Sequence, residues 1–62
     1  MRYSRIPKWR YFDGIRYAKG GEYRQLKDAK SAVARIRKEG DRARRILLMD
    51  LWVVFWRKGR AG

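Results

Sequence analysis

The clearest pattern in the chain is a helical one between Leu26 and Glu39. Five apolar residues recur there at intervals of three and four positions and fall on one stripe of a helix: Leu26, Ala29, Ala32, Val33 and Ile36. Gly40 follows the last turn and is expected to take the left-handed position that ends many helices. The start is less well marked because Gln25 is a poor N-cap, although Asp28 in the first turn suits the helix dipole.

A first β-hairpin is predicted between Trp9 and Tyr17. Asp13 and Gly14 separate two aromatic-rich segments, and Asp-Gly favours the type I′ turn, whose two central residues need positive φ. Gly20 and Gly21 interrupt this pattern. The segment 22–24 is then predicted to be a separate short extended piece that leads into the helix.

A second hairpin is predicted over residues 42–57, with Met49 and Asp50 as its two-residue turn. Leu48 then faces Leu51, and each position further along pairs in the same register. Alternation divides the side chains between two faces. The face expected to pack on the helix holds Ile46, Leu48, Leu51, Val53 and Phe55. The face expected to point away from it holds Ala43, Arg45, Leu47, Trp52, Val54 and Trp56. Met-Asp is not a favoured turn pair, and a slip of one residue would exchange the two faces.

The predicted fold class is α+β. We expect a small antiparallel sheet, two hairpins plus a short strand, packed on one face by a single amphipathic helix in the order β-β-(β)-α-β-β. Residues 1–62 form one small basic domain, and residues 1–7 are expected to be a flexible or partner-ordered N-terminal arm. A chain of this size buries only about 60% of its unfolded surface. Without Cys or His, disulfides and zinc sites are excluded, so nine aromatic residues must supply much of the core.

Charge gives the first indication of function. The 62 residues contain 18 Lys and Arg against six Asp and Glu, a net charge of +12. A small domain cannot dilute such an excess, so its surface should attract polyanions, of which nucleic acid is the obvious one. Arg is twice as frequent as Lys, and its planar guanidinium pairs bidentately with phosphate and stacks on rings. Ion pairing of the kind found in thermophilic proteins does not explain the excess, because the acids are too few.

The predicted nucleic-acid-binding residues fall into two groups. The first is a cationic helix face opposite the apolar stripe, formed by Lys27, Lys30, Arg35, Arg37 and Lys38. The second is a stacking platform on the sheet face predicted to point away from the helix, with Trp52, Trp56 and Arg45, extended by Trp9, Tyr11 and Arg16 of the first hairpin. Arg57 and Lys58 add charge at the end of the last strand. Whether the ligand is DNA or RNA, and single or double stranded, is left open by the sequence.

A second function remains open. Leu47, Val54 and the two Trp residues of the same face form an apolar patch that two copies could bury against each other. The alternative is therefore a homodimer or a subunit of a larger nucleoprotein assembly of ribosomal or viral type. Attachment to an anionic membrane surface is a third option that the charge permits, but the helix stripe is narrow and mostly Ala.

Enzymatic chemistry is not expected. The sequence has no P-loop, dinucleotide fingerprint, metal cluster or nucleophile-base arrangement, so it predicts no enzyme, no cofactor and no small-molecule substrate. Its longest apolar run, residues 46–56, is interrupted by Asp50 and is well short of the ~20 residues that span a membrane. The basic, aromatic N-terminus is not followed by an apolar stretch, so a cytoplasmic location is expected.

Part of the chain resembles a known family. The segment with Tyr23, Ala29, Ile36, Gly40, Ala43 and Ile46 is similar to the strand-helix-strand half of SPOR domains, in which an aromatic strand precedes an Ala-rich helix that ends at Gly. The likeness covers about half of the chain and one copy of the unit, so it implies a local fold only and glycan binding is not carried over. In size and charge the chain also looks like the small basic chromatin and ribosomal proteins of archaea. The absence of Asn, Thr, His and Cys fits a thermophilic source.

Overall fold

The computed structural model describes residues 6–59, which form four strands and one helix. The elements are β1 (Trp9–Phe12), β2 (Ile15–Tyr23), α1 (Leu26–Lys38), β3 (Arg42–Leu48) and β4 (Leu51–Arg57). All strands pair antiparallel in the order β1-β2-β4-β3, and α1 packs on one face of this sheet against β3, β4 and β2. The predicted α+β class is confirmed. Of the predicted N-terminal arm, residues 1–5 lie outside the described range, while Ile6 is buried at 8% exposure.

Both predicted hairpins form with the predicted turns. Asp13 and Gly14 have φ of 55° and 81°, as a type I′ turn requires. Met49 and Asp50 also have positive φ, 49° and 66°. The second hairpin pairs Leu48 with Leu51 and Ala43 with Trp56, which is the predicted register without a slip. The second turn therefore holds two residues with side chains in a backbone region that favours Gly and Asn.

Relieving that backbone strain should stabilise the protein. Replacing Met49→Asn and Asp50→Gly gives the turn pair with the best intrinsic preference for type I′ geometry. We expect a gain of about 1 kcal/mol, which raises the Tm of a domain of this size by roughly 4–8 °C. Thermal unfolding followed by circular dichroism measures the shift. An unchanged or lower Tm would show that this turn carries no strain.

The helix ends as its sequence predicts. The Gly40 N–H donates to the Arg37 carbonyl at 2.9 Å, and the Asp41 N–H donates to the Ile36 carbonyl at 3.2 Å, the two bonds of a Schellman motif. Gly40 supplies the left-handed residue with φ of 93°. At the other end, Gln25 makes no side-chain capping hydrogen bond, as expected. The tight connection at Gly40 brings the last turn of α1 directly to the start of β3.

Strand β2 corrects one prediction. The segment 22–24 is not a separate strand, because β2 continues through Gly20 and Gly21 to Tyr23 with a shift of register between Lys19 and Gly21. A Cβ atom at Gly20 would lie 3.0 Å from Cδ1 of Trp56. The missing side chain therefore lets the strand bulge while the indole ring of β4 packs against it.

The larger correction concerns which sheet face meets the helix. The predicted assignment is wrong: Ala29, Ala32 and Val33 of α1 pack on the face that carries Ala43, Val54, Trp52 and Trp56. We call this side of the sheet the helix-covered face. The opposite face, called the far face, carries a second cluster formed by Ile6, Tyr17, Val53 and Phe55, with Phe12, Ile46, Leu48 and Leu51 against it.

Side-chain size explains this choice of face. The contact stripe of α1 is mostly Ala, so the helix packs closely and needs large side chains around it to fill the space at native density. Trp52, Trp56 and Tyr23 provide that volume at the margins, and Ala43 and Val54 leave room beneath the helix. The hydrophobic alternation separates the two faces but does not by itself show which of them the helix covers.

The far face is closed by the curl of the sheet. Phe12 of β1 makes edge-to-face contacts with Tyr17, at 5.0 Å between ring centroids, and with Phe55, at 5.9 Å. Arg44 of β3 lies over the Phe12 ring at 5.0 Å and reaches Asp13 at 3.4 Å. Strands β1 and β3 are the two outer strands of the sheet, so these contacts draw its edges together across the far face. Val53 and Phe55 are fully buried as a result.

Candidate nucleic-acid interface

Cationic side chains are concentrated at one end of the fold. Helix α1 and strand β4 end there and β3 begins there, because Arg42 pairs with Arg57 and Gly40 turns the chain directly from α1 into β3. We call this the basic end; it carries Arg35, Arg37, Lys38, Arg42, Arg44, Arg57 and Lys58. Glu39 and Asp41 are the carboxylates in the same part of the chain. The β1–β2 hairpin projects past this end, since the pairing of β2 with β4 reaches only to Ala18.

An open cleft of about 330 Å³ lies at the basic end. Its walls are formed by the last turn of α1, the first residues of β3 and one buried aromatic side chain of β2: Tyr17, Arg37, Asp41, Arg42, Ala43 and Arg44. We call it the arginine cleft. Three guanidinium groups and one carboxylate line it, and Asp13 pairs with Arg44 beside it, which leaves one positive charge in excess. Guanidinium groups around an open concave surface are suited to holding phosphate through paired N–H donors.

Two of the three arginines are held in position by the protein. The Arg37 Nη2 atom donates to the Ala43 carbonyl at 3.0 Å, which leaves its other N–H groups available to a ligand. Arg44 is oriented by the Phe12 ring and by Asp13. An arginine with a fixed orientation loses less side-chain entropy when it binds an anion than a free one does. Asp41 has a structural partner of its own, because its Oδ1 atom accepts from the Gly59 N–H at 3.0 Å.

The charges at the basic end are poorly compensated. Arg42 and Arg57 occupy directly opposite positions on neighbouring strands, where like charges destabilise a sheet. Within residues 6–59 the ion pairs are Lys19 with Glu22 and Arg44 with Asp13, and both pairs are near the surface. Most described Lys and Arg residues therefore have no carboxylate partner. An anion bound at this end would relieve the repulsion.

The β1–β2 hairpin carries a second feature, a pair of exposed aromatic rings. Trp9 and Tyr11 are two residues apart on the same face of β1, and they are 51% and 61% exposed. Arg16 pairs with Tyr11 across the hairpin, and its guanidinium lies 5.5 Å from the centre of the Trp9 ring. Ala18, opposite Trp9, is too small to cover it. We call Trp9, Tyr11 and Arg16 the hairpin platform.

The structure distributes the predicted binding residues differently from the sequence prediction. The five helix residues are exposed as expected, but only Arg35, Arg37 and Lys38 lie at the basic end. Lys27 is ten residues from Arg37, about 15 Å along the helix axis. Arg45 is exposed on β3, and Arg57 and Lys58 are at the end of β4. Trp52 and Trp56 do not form an open platform with Arg16, because both rings pack against the core beneath α1.

Five of the six residues that line the arginine cleft are absent from the predicted binding residues: Tyr17, Asp41, Arg42, Ala43 and Arg44. A signal for two of them is present in the chain. Arg42 and Arg44 share one face of β3, and a glycine turn connects that strand to the helix end that bears Arg37. Residues on either side of so short a connection must come together. Tyr17 has no comparable signal, because it reaches the cleft through long-range pairing of the sheet.

Comparisons with known proteins do not assign this chain. No protein-family description, no curated protein and no solved structure matches it. Among residues 6–59, the one helix is too short and too polar to cross a bilayer.

Proposed function

We propose that this protein binds nucleic acid through the phosphate backbone, with the basic end as the main contact surface and the arginine cleft at its centre. The observation that carries the proposal is the convergence of Arg37, Arg42 and Arg44 on one open cleft, next to the unfavourable pair of Arg42 and Arg57. A protein whose charge served solubility alone would gain from spreading it and mixing both signs. Here the free energy cost of clustering is offset when phosphates bind.

A polymer of phosphates fits this surface better than a single small anion. The cleft is open to solvent, and Arg35, Lys38, Arg57 and Lys58 continue the positive surface beyond its walls. A polynucleotide can contact several of these groups at once and releases counterions at each contact. Such contacts position a backbone without reading base edges, so the proposed binding is not sequence specific and takes DNA or RNA. The proposed action is non-enzymatic and cytoplasmic.

A pair of matched double variants tests the location of the interface. Arg37→Gln with Arg42→Gln removes two charges from the arginine cleft, and Arg24→Gln with Lys27→Gln removes two exposed charges near the start of α1. Both variants have the same net charge. At 50 mM salt each lost phosphate contact should weaken binding on the order of tenfold, so the cleft variant should bind about 100-fold more weakly than the unaltered protein. The control should lose much less. Fluorescence anisotropy with a labelled oligonucleotide measures both.

Equal losses in the two variants would show that net charge alone governs binding, and the proposed interface would be rejected. Unchanged binding in both would reject it as well. Circular dichroism spectra and melting curves of the two variants verify that each is folded, since Arg37 also donates to a backbone carbonyl.

The alternative role as an assembly subunit keeps only part of the surface on which it was based. Val54 of the predicted patch is buried, Trp52 and Trp56 are half-buried against the core cluster beneath α1, and Leu47 is 56% exposed. We therefore propose nucleic acid as the partner. Sedimentation at micromolar concentration without nucleic acid should give a monomer of 7.5 kDa.

A further inference from the structure

We infer that the preferred ligand is a single-stranded nucleic acid, two of whose bases stack on Trp9 and Tyr11 of the hairpin platform. This inference rests on the proposed function and adds the strandedness of the ligand and a second contact surface. The inference rests on the pair of exposed aromatic rings on one strand face, with the Arg16 guanidinium over the Trp9 ring. The other six aromatic side chains of residues 6–59 are buried or half-buried, so two neighbouring rings that are half or more exposed require an explanation.

Packing does not explain the exposure of these rings. The hairpin is already held on its other face, where Phe12 contacts Tyr17 and Phe55. Neither Trp9 nor Tyr11 belongs to the two clusters of the core. Exposed indole and phenol rings cost free energy in water and gain it when a flat, polarisable partner covers them. Nucleobases are such partners, and each stacked base contributes about 1–3 kcal/mol to binding.

The surrounding charge selects nucleobases over a neutral apolar partner. Arg16 lies against the Trp9 ring, and Arg10 lies 5.7 Å from the Phe12 ring on the other face of the hairpin. Both guanidinium groups are exposed. Arg16 can contact the phosphate that follows a base stacked on Trp9, and a guanidinium plane itself stacks on a base. Aromatic rings for bases with adjacent cations for the backbone are the combination that proteins use for single strands.

The spacing of the rings separates single strands from duplexes. Residues two apart on a strand are about 6.7 Å apart, which is twice the ~3.4 Å rise between neighbouring bases of a B-form strand. Two adjacent bases that remain stacked on each other cannot each lie on one of the two rings. The bases must be unstacked first, and an unpaired strand does this at a much lower free energy cost than a duplex.

The test compares three ligands of equal length in the same low-salt buffer. These are a labelled oligothymidylate, a duplex, and an abasic single strand that keeps the sugars and phosphates but has no bases. We expect the oligothymidylate to bind at least tenfold more tightly than the abasic strand. We also expect Trp9→Ala with Tyr11→Ala to reduce oligothymidylate affinity by more than tenfold while changing abasic-strand affinity less than twofold. Trp9→Phe, which keeps a ring, should restore part of the loss.

Ile15→Ala is the matched control variant, since Ile15 is 42% exposed on the same hairpin but on its other face. It should bind all three ligands as the unaltered protein does. If the oligothymidylate and the abasic strand bind equally and the Trp9 and Tyr11 variant is unchanged, the platform is rejected while phosphate binding at the basic end stands. If no polynucleotide binds at low salt, both proposals are rejected. Tighter binding of the duplex than of either single strand also overturns the inference.

Discussion

The affinity of this protein for duplex DNA should fall by about 10²- to 10⁴-fold as the salt concentration rises from 50 mM to 200 mM. The physical reason is counterion release: if five to eight Lys and Arg side chains contact phosphate, the slope of log K against log salt is about −4 to −7. The basic end alone offers enough cations for this number of contacts. Fluorescence anisotropy titrations at four or five salt concentrations give the slope directly.

The cleft variant makes this experiment more specific. Losing Arg37 and Arg42 as phosphate contacts should make the slope shallower by about 2, because each contact accounts for ~0.9 of it. The variant at the start of α1 should keep the slope of the unaltered protein. A slope near zero for the unaltered protein would mean that its affinity, if any, does not come from phosphate contacts, and the proposed function would have to be abandoned.

Replacing Phe55→Ala should remove about half or more of the free energy of unfolding. Phe55 is fully buried in the far-face cluster and contacts Phe12 across the curl of the sheet. Truncating a buried Phe costs about 3–5 kcal/mol. The free energy of unfolding of a domain of this size is on the order of 3–9 kcal/mol, so one such loss removes a large part of its stability. Far-UV circular dichroism and urea titration measure the change.

Leu47→Ala provides the comparison for this effect, since Leu47 is 56% exposed on β3. It should change the free energy of unfolding by less than about 0.5 kcal/mol. A Phe55→Ala protein as stable as the Leu47→Ala protein would mean that the far face is not part of the core. The arrangement of the sheet described above would then be wrong at its centre.

Local signals in the sequence are sufficient for the elements of this fold and for most of its register. The apolar stripe from Leu26 to Ile36 predicts α1, Gly40 predicts its end, and Asp13 with Gly14 predicts the first turn. The second turn is also in the predicted place, although Met49 and Asp50 are not favoured turn residues. Pairing in the strands that flank them is strong enough to impose the backbone conformation of that turn.

Long-range packing determined what the sequence prediction missed. Alternation along β3 and β4 separates two apolar faces, but both are hydrophobic enough to be core. Which of the two faces the helix covers depends on the fit between an Ala-rich helix and the large rings of Trp52 and Trp56. That fit could have been anticipated from side-chain volume, whereas the curl that brings Arg44 to Phe12 joins residues 32 positions apart and has no local signature.

The sequence indicates the excess charge of the candidate site but only part of its position in the fold. Net charge and Arg content indicate a polyanionic partner without any structure. The sequence prediction centred the stacking platform on Trp52 and Trp56 and extended it to Trp9 and Tyr11. In the structure Trp52 and Trp56 are half-buried against the core beneath α1, while Trp9 and Tyr11 are exposed. The cleft of Arg37, Arg42 and Arg44 joins residues of a helix and a strand that meet only after the chain turns at Gly40.

Because β3 is an outer strand of the sheet, its arginines also affect whether another strand can pair with it. An outer strand presents unpaired backbone groups to which another copy could add a strand, and charged side chains are a common protection against such pairing. Arg42, Arg44 and Arg45 are exposed along β3 and repel a second copy. Two of these side chains, Arg42 and Arg44, also line the arginine cleft, so the proposed ligand binding and the resistance to aggregation share them. Replacing these arginines by neutral residues to abolish the proposed polynucleotide binding should therefore also make the protein less soluble.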